Sequence, residues 1–117
     1  MNPRYFTLAL LRDDDLDARQ VVKDAKRASF SWSQAPAPDF TGRRVRAVYA
    51  SVVELLALRA GHVPPPWVAS VEAAPVPLFL LHDAKRSKVW RRESLATTPE
   101  CMRKRNVFAL RDYLDVL

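Results

Sequence analysis

The sequence predicts a mainly α, compact single-domain bundle of about four to six helices, with a short extended segment near 78–81 or 106–109. Three observations carry that prediction. Apolar residues recur every three or four positions over several stretches, nine prolines gather in the gaps between them, and 117 residues suffice for one core but not two. With 49% of residues hydrophobic and 27% charged, the composition is that of a folded globule and not of a disordered chain.

Asn2 followed by Pro3 reads as an N-cap and a first-turn proline, with Tyr5, Leu8, Ala9 and Leu11 as a short apolar stripe. A second helix is expected from about Leu16 to Ser31, capped by the carboxylates of Asp13, Asp14, Asp15 and Asp17, which suit orphan N–H groups and the helix dipole. Leu16, Val21, Val22, Ala25, Ser29 and Trp32 keep its spacing. The QAPAPD run from Gln34 to Asp39 is a linker, because each proline removes a donor and turns its predecessor away from the helical region. After it, with Thr41 as a cap, Val45, Val48, Tyr49, Val52, Leu55, Leu56 and Arg59 mark the strongest helix, which Gly61 should stop.

His62 to Trp67 (HVPPPW) is a stiff turn whose last proline starts a short helix through Val68 and Val71, ended by Ala74 to Pro77. Leu78 to Leu81 is apolar throughout and too short for periodicity to decide its form. Thr98, Pro99 and Glu100 then resemble a cap, first-turn proline and early carboxylate, with Asn106 closing the short helix. Val107 and Phe108 form an anchoring pair, and Leu110, Tyr113, Leu114 and Leu117 fit a final amphipathic helix.

The formal charge of +6 is unevenly spread. Residues 1–42 carry six basic and six acidic side chains, residues 43–84 four and three, and residues 85–117 nine and four. Charge clustering selects partners, so the last third is where an anionic counterpart is expected. No apolar run approaches the ~20 residues that cross a bilayer. The single cysteine has no internal disulfide partner, and the start of the chain lacks a secretory pattern, so a cytoplasmic location is expected.

Little in the chain points to catalysis. His62 and His82 with Cys101 stand about twenty residues apart, without the close spacing of zinc ligands, so no metal is expected. Cys101, between Glu100 and Met102, reads as a packed thiol, and Ser94, Thr97 and Thr98 lack the glycine-rich turn that presents a nucleophile. Two glycines in all leave no phosphate-cradling loop, and the Asp13 to Asp17 run reads as a solvated helix cap. No cofactor and no catalytic residue are therefore expected.

The basic residues stand out. Lys85, Arg86, Lys88, Arg91 and Arg92 surround Val89 and Trp90, and Arg103, Lys104 and Arg105 follow; Arg43, Arg44 and Arg46 form a secondary cluster at the start of the long helix. Cations interleaved with an aromatic serve three ends: a solvated helix face whose Val89 and Trp90 point inward, a surface for an acidic protein, or a phosphate-binding surface. The expected function is a non-catalytic protein-binding module meeting an acidic partner through these residues. Its alternative is a small nucleic-acid-binding protein or repressor using the same cations on phosphates. The oligomeric state is open.

From Val45 onward the chain has a helix, the proline–tryptophan turn Pro66-Trp67, an apolar stretch, and Thr98-Pro-Glu-Cys-Met-Arg-Lys-Arg-Asn-Val-Phe108 with Tyr113 and Leu114 after it. This pattern resembles small bacterial helical proteins of unassigned activity encoded beside nucleotidyltransferase-like or other toxin–antitoxin genes. The resemblance implies an antitoxin or accessory protein that binds a toxin, with structural roles for Pro66, Trp67, Pro99, Arg105, Asn106 and Phe108. It does not extend to the N-terminal half.

Overall fold

The computed structural model describes residues 1–12, 15–80 and 88–115. Helix α1, Pro3–Leu11, starts as expected, with Asn2 Oδ1 accepting from the Tyr5 N–H at 3.1 Å. Its inward face is rotated from the expected stripe: Phe6, Ala9 and Leu10 are buried, while Tyr5 and Leu8 are exposed. The ring of Phe6 decides this, because it packs toward Trp32 with ring centroids 6.2 Å apart.

Helix α2, Asp15–Arg27, buries Ala18, Val22 and Ala25, but Leu16, expected in the same stripe, is 82% exposed. The helix also ends before Ser31. Ser29 takes a left-handed backbone (φ 53°), its N–H donates to the Lys26 carbonyl, and the Phe30 N–H reaches back to the Ala25 carbonyl at 2.9 Å. That pair of bonds is a Schellman cap, usually made by glycine, so its serine gave no stop signal. The expected cap of Asp13 and Asp14 lies outside the described residues.

Helix α3, Arg43–Arg59, begins after Gly42 with no side-chain cap, so Thr41 does not play the expected role. Gly42 has φ 111°, and a Cβ there would stand 2.9 Å from Val45 Cγ2. Every residue from Ala47 to Ala57 is buried. Such a helix is a central axis, with α1 and the short C-terminal elements packed around it. Its exit repeats the α2 cap with the expected glycine: Gly61 at φ 73°, and His62 N–H to the Ala57 carbonyl at 2.8 Å.

Aromatic packing fixes the proline linker to this axis. Tyr49 stacks on Trp67 at 5.4 Å between centroids, its hydroxyl donates to the Pro36 carbonyl at 2.7 Å, and Trp67 Nε1 donates to Ala35 at 2.9 Å. Burial, aided by the Asp39 charge, pushes the Tyr49 pKa upward, so the hydroxyl stays a donor. Trp67 opens a 3-10 turn over Pro66–Ser70.

One extended segment is expected, near 78–81 or 106–109; strands form at both places, and they pair. Strands β1, Leu78–Phe79, and β2, Val107–Phe108, run parallel with Leu78 opposite Val107 and Phe79 opposite Phe108. Between them lie helix α4, Lys88–Thr97, and helix α5, Glu100–Arg103. Helix α5 ends at Arg103 with Lys104 as its C-cap, ahead of the expected stop at Asn106, which at φ 63° closes the following turn and sends Nδ2 to the Ala74 carbonyl at 3.2 Å.

The expected final helix is absent among the described residues. Residues 111–114 form turns, and Leu114 has φ 58°. The side chain of Arg59 donates to the carbonyls of Arg111 and Tyr113, and the Tyr113 and Asp115 N–H groups bond three residues back, to the carbonyls of Leu110 and Asp112. The radius of gyration, 13.1 Å, is close to the roughly 13 Å of one compact domain of this length. Chain and fold therefore agree on a mainly α bundle with one small strand pair.

One buried side chain joins most of these pieces. Arg105 lies with Nη1 2.8 Å from Glu54 Oε1 and 2.8 Å from the Cys101 carbonyl, and with Nη2 2.7 Å from the Val68 carbonyl. Its own carbonyl accepts from Ala74 N–H at 2.8 Å. Glu54 is therefore the counter-ion for a cation in the core, and removing one partner of such a pair leaves an uncompensated buried charge. Replacing Glu54→Leu should lower the unfolding free energy by roughly 3–5 kcal/mol, and adding Arg105→Met should restore only part of that loss, because the Cys101 and Val68 carbonyls then lose their donor. Lys104→Ala, which removes a cation 48% exposed, should change it by less than about 1 kcal/mol. Urea titrations followed by circular dichroism measure all three; equal losses for Lys104→Ala and Glu54→Leu would contradict this account.

Candidate functional site

Helix α4 carries the core of the expected basic surface. Ser94 is its fully buried side chain. At 100° per residue, Trp90 and Arg91 flank the Ser94 side, while Lys88, Val89, Arg92, Leu95 and Ala96 point away from it. Exposure agrees: Val89 is 66% and Trp90 43% accessible, and Lys88, Arg91, Arg92 and Leu95 are exposed. Val89 thus faces outward, against the inward reading, whereas Trp32 belongs to the core.

The helix is held at its C-terminal end by one hydroxyl. Thr98 Oγ1 accepts from the Ala109 N–H at 3.2 Å, and its one proton is shared between the carbonyls of Ser94 and Ala109, the latter at 2.9 Å. Thr98 therefore closes α4 and does not cap α5, the role its sequence context suggested. Nearer the start of α4, the Arg91 guanidinium lies 5.5 Å from the centroid of Phe79, a cation–π distance, and Phe79 stacks on Phe108 at 5.5 Å.

Arg91 and Arg44 line one groove of about 200 Å³, with Leu11, Pro77 and the β1 residues as its walls. The fold thus brings a member of the secondary cluster beside a member of the C-terminal one. Sequence reading gave no sign of this, because a strand pairing across the chain creates the proximity. Lys88, Arg92, Arg44 and Arg46 form no ion pair with any carboxylate among the described residues.

The other expected cations divide between the core and surface ion pairs. Arg105 is 3% exposed and bound to Glu54, so, contrary to the expectation that it contacts a partner, it belongs to the core and its role is structural. Lys104 shares the same carboxylate at 2.9 Å. Arg103 reaches Glu100 at 3.8 Å and the Thr98 carbonyl at 3.3 Å. In the secondary cluster, Arg43 is tied to Glu72 at 3.2 Å and to the Ala73 carbonyl at 2.8 Å. One contiguous basic run in sequence is therefore a split set in space. Lys85 and Arg86 lie outside the described residues, as does His82.

Cys101 is buried beneath Arg105. Burial raises the thiol pKa, the Glu54 charge adds to that rise, and Arg105 and Lys104 only partly offset it. A neutral, enclosed thiol is a poor nucleophile. Alkylation of native protein by iodoacetamide at neutral pH should run on the order of 100-fold slower than in guanidinium; comparable rates in mass-spectrometric time courses would refute the assignment. Among the described residues, no group of three histidine, cysteine or acidic side chains gathers as a metal site would require. No helix among them is long and apolar enough to cross a membrane.

No protein-family model, curated protein or solved structure matches the chain. The surface is read from its own chemistry.

Proposed function

We propose that this protein is a non-catalytic binding module that holds an acidic protein partner on the outward face of α4, with Arg44 and Arg91 at its border. The observation that supports this reading is the mixture on that face: Lys88 and Arg92 alternate with Val89 and Leu95, all exposed. Apolar anchors with surrounding cations suit a protein surface that carries both carboxylates and a hydrophobic patch. A phosphate backbone complements the cations and leaves the apolar groups in water. Arg105 is buried against Glu54, which removes one cation of the 103–105 run from any surface.

In the form that the resemblance of the C-terminal half suggests, the partner is a toxin and this chain its antitoxin or accessory protein in the cytoplasm. The full chain, purified with its co-isolated partner from native cells, supplies the test. Reconstitution with that purified partner should weaken by at least about tenfold in the Lys88→Glu/Arg92→Glu variant, and similarly in Val89→Asp, with the fold unchanged by circular dichroism. Undiminished binding by these variants overturns the reading. So does random-sequence duplex DNA or RNA bound with a log–log salt slope of about 0.9 per phosphate contact, an outcome that would assign the same cations to nucleic acid.

A further inference from the structure

A second concave site lies apart from α4, where the exits of α2 and α3 meet the C-terminal turn. It has a volume of about 370 Å³, within the ~300–1,000 Å³ of small-molecule sites. Phe30, Trp32, Leu56 and Leu114 supply an apolar wall, and Phe30 meets Trp32 edge to face at 5.2 Å. Lys26, Arg59 and His62 reach the same space, with Asp115 as the one carboxylate among its described lining residues.

The polar groups are fixed unequally, and that decides what fits. His62 Nδ1 accepts the Trp32 backbone N–H at 3.2 Å, so the neutral ring carries its proton on Nε2 and offers a donor there. The backbone of His62 is itself held by the α3 cap, which makes this donor nearly rigid. Arg59 is pinned to the carbonyls of Arg111 and Tyr113 and leaves its charge in the wall. Lys26, exposed and without an ion pair among the described residues, is a movable arm. Two cations and a fixed donor against one carboxylate favour an anion, and the aromatic wall favours a flat apolar body.

We propose that this cleft binds a small aromatic carboxylate, with the carboxylate between Lys26 and His62 Nε2–H and the ring against Phe30 and Trp32. Neither the α4 surface nor its partner enters the argument. The probe is phenylacetate, titrated into the full chain and followed by two-dimensional NMR, with phenylacetamide and phenethylamine as isosteric neutral and cationic controls. Phenylacetate should shift the Trp32 and His62 resonances saturably with a Kd near or below about 1 mM, as expected for a ligand of this size. The controls should bind at least about fivefold more weakly, and Lys26→Glu, at an exposed helix position, should weaken phenylacetate by at least about as much. Shifts that stay linear to about 10 mM, equal binding of the amide, or an unchanged Kd in Lys26→Glu would overturn the proposal.

Discussion

A carboxylate and a guanidinium buried together are the constraint on which the C-terminal half depends. Glu54 sits on the all-round buried stretch of α3, and its charge there is tolerable because Arg105 meets it. Arg105 in turn satisfies the carbonyls of Cys101 and Val68, and its own carbonyl receives Ala74. Through one side chain, the central helix, the 3-10 turn after the prolines, α5 and the approach to β1 are held in a single arrangement. Apolar packing alone would allow these short elements to slide. Directional bonds to a buried cation do not, because any displacement strands a donor or acceptor away from water.

The parts of the fold that were legible in the sequence are those with local causes. Asn2 and Pro3 start α1, Gly61 stops α3, and the proline pairs empty the linkers of helix. The misreadings have long-range causes. The last residues look helical by spacing, but they form turns whose carbonyls at Arg111 and Tyr113 accept from Arg59, more than fifty residues away. Ser29 ends α2 in a conformation that its side chain does not advertise. The inward face of α1 is chosen by a ring contact with Trp32. The extended segments could be proposed separately, but their pairing with each other could not.

The basic residues show the same division. Charge counting located the excess of cations in the last third, yet exposure and pairing are tertiary properties, and they distribute that excess into two roles. Arg105 and Lys104 serve Glu54, while Lys88 and Arg92 face solvent beside Val89 and Leu95. Adjacent positive charges in a chain thus have no common fate. What distinguishes them is the availability of a carboxylate on α3, a helix that the pattern of charges alone does not bring near.

The hydroxyl of Thr98 links separate parts of the chain. It is shared between the last turn of α4 and both backbone groups of Ala109, and Ala109 directly follows the strand that Arg105 leads into. One hydroxyl thus ties the end of α4 to backbone four residues beyond Arg105, so the end of that helix and the ionic centre of the core are near neighbours along the chain.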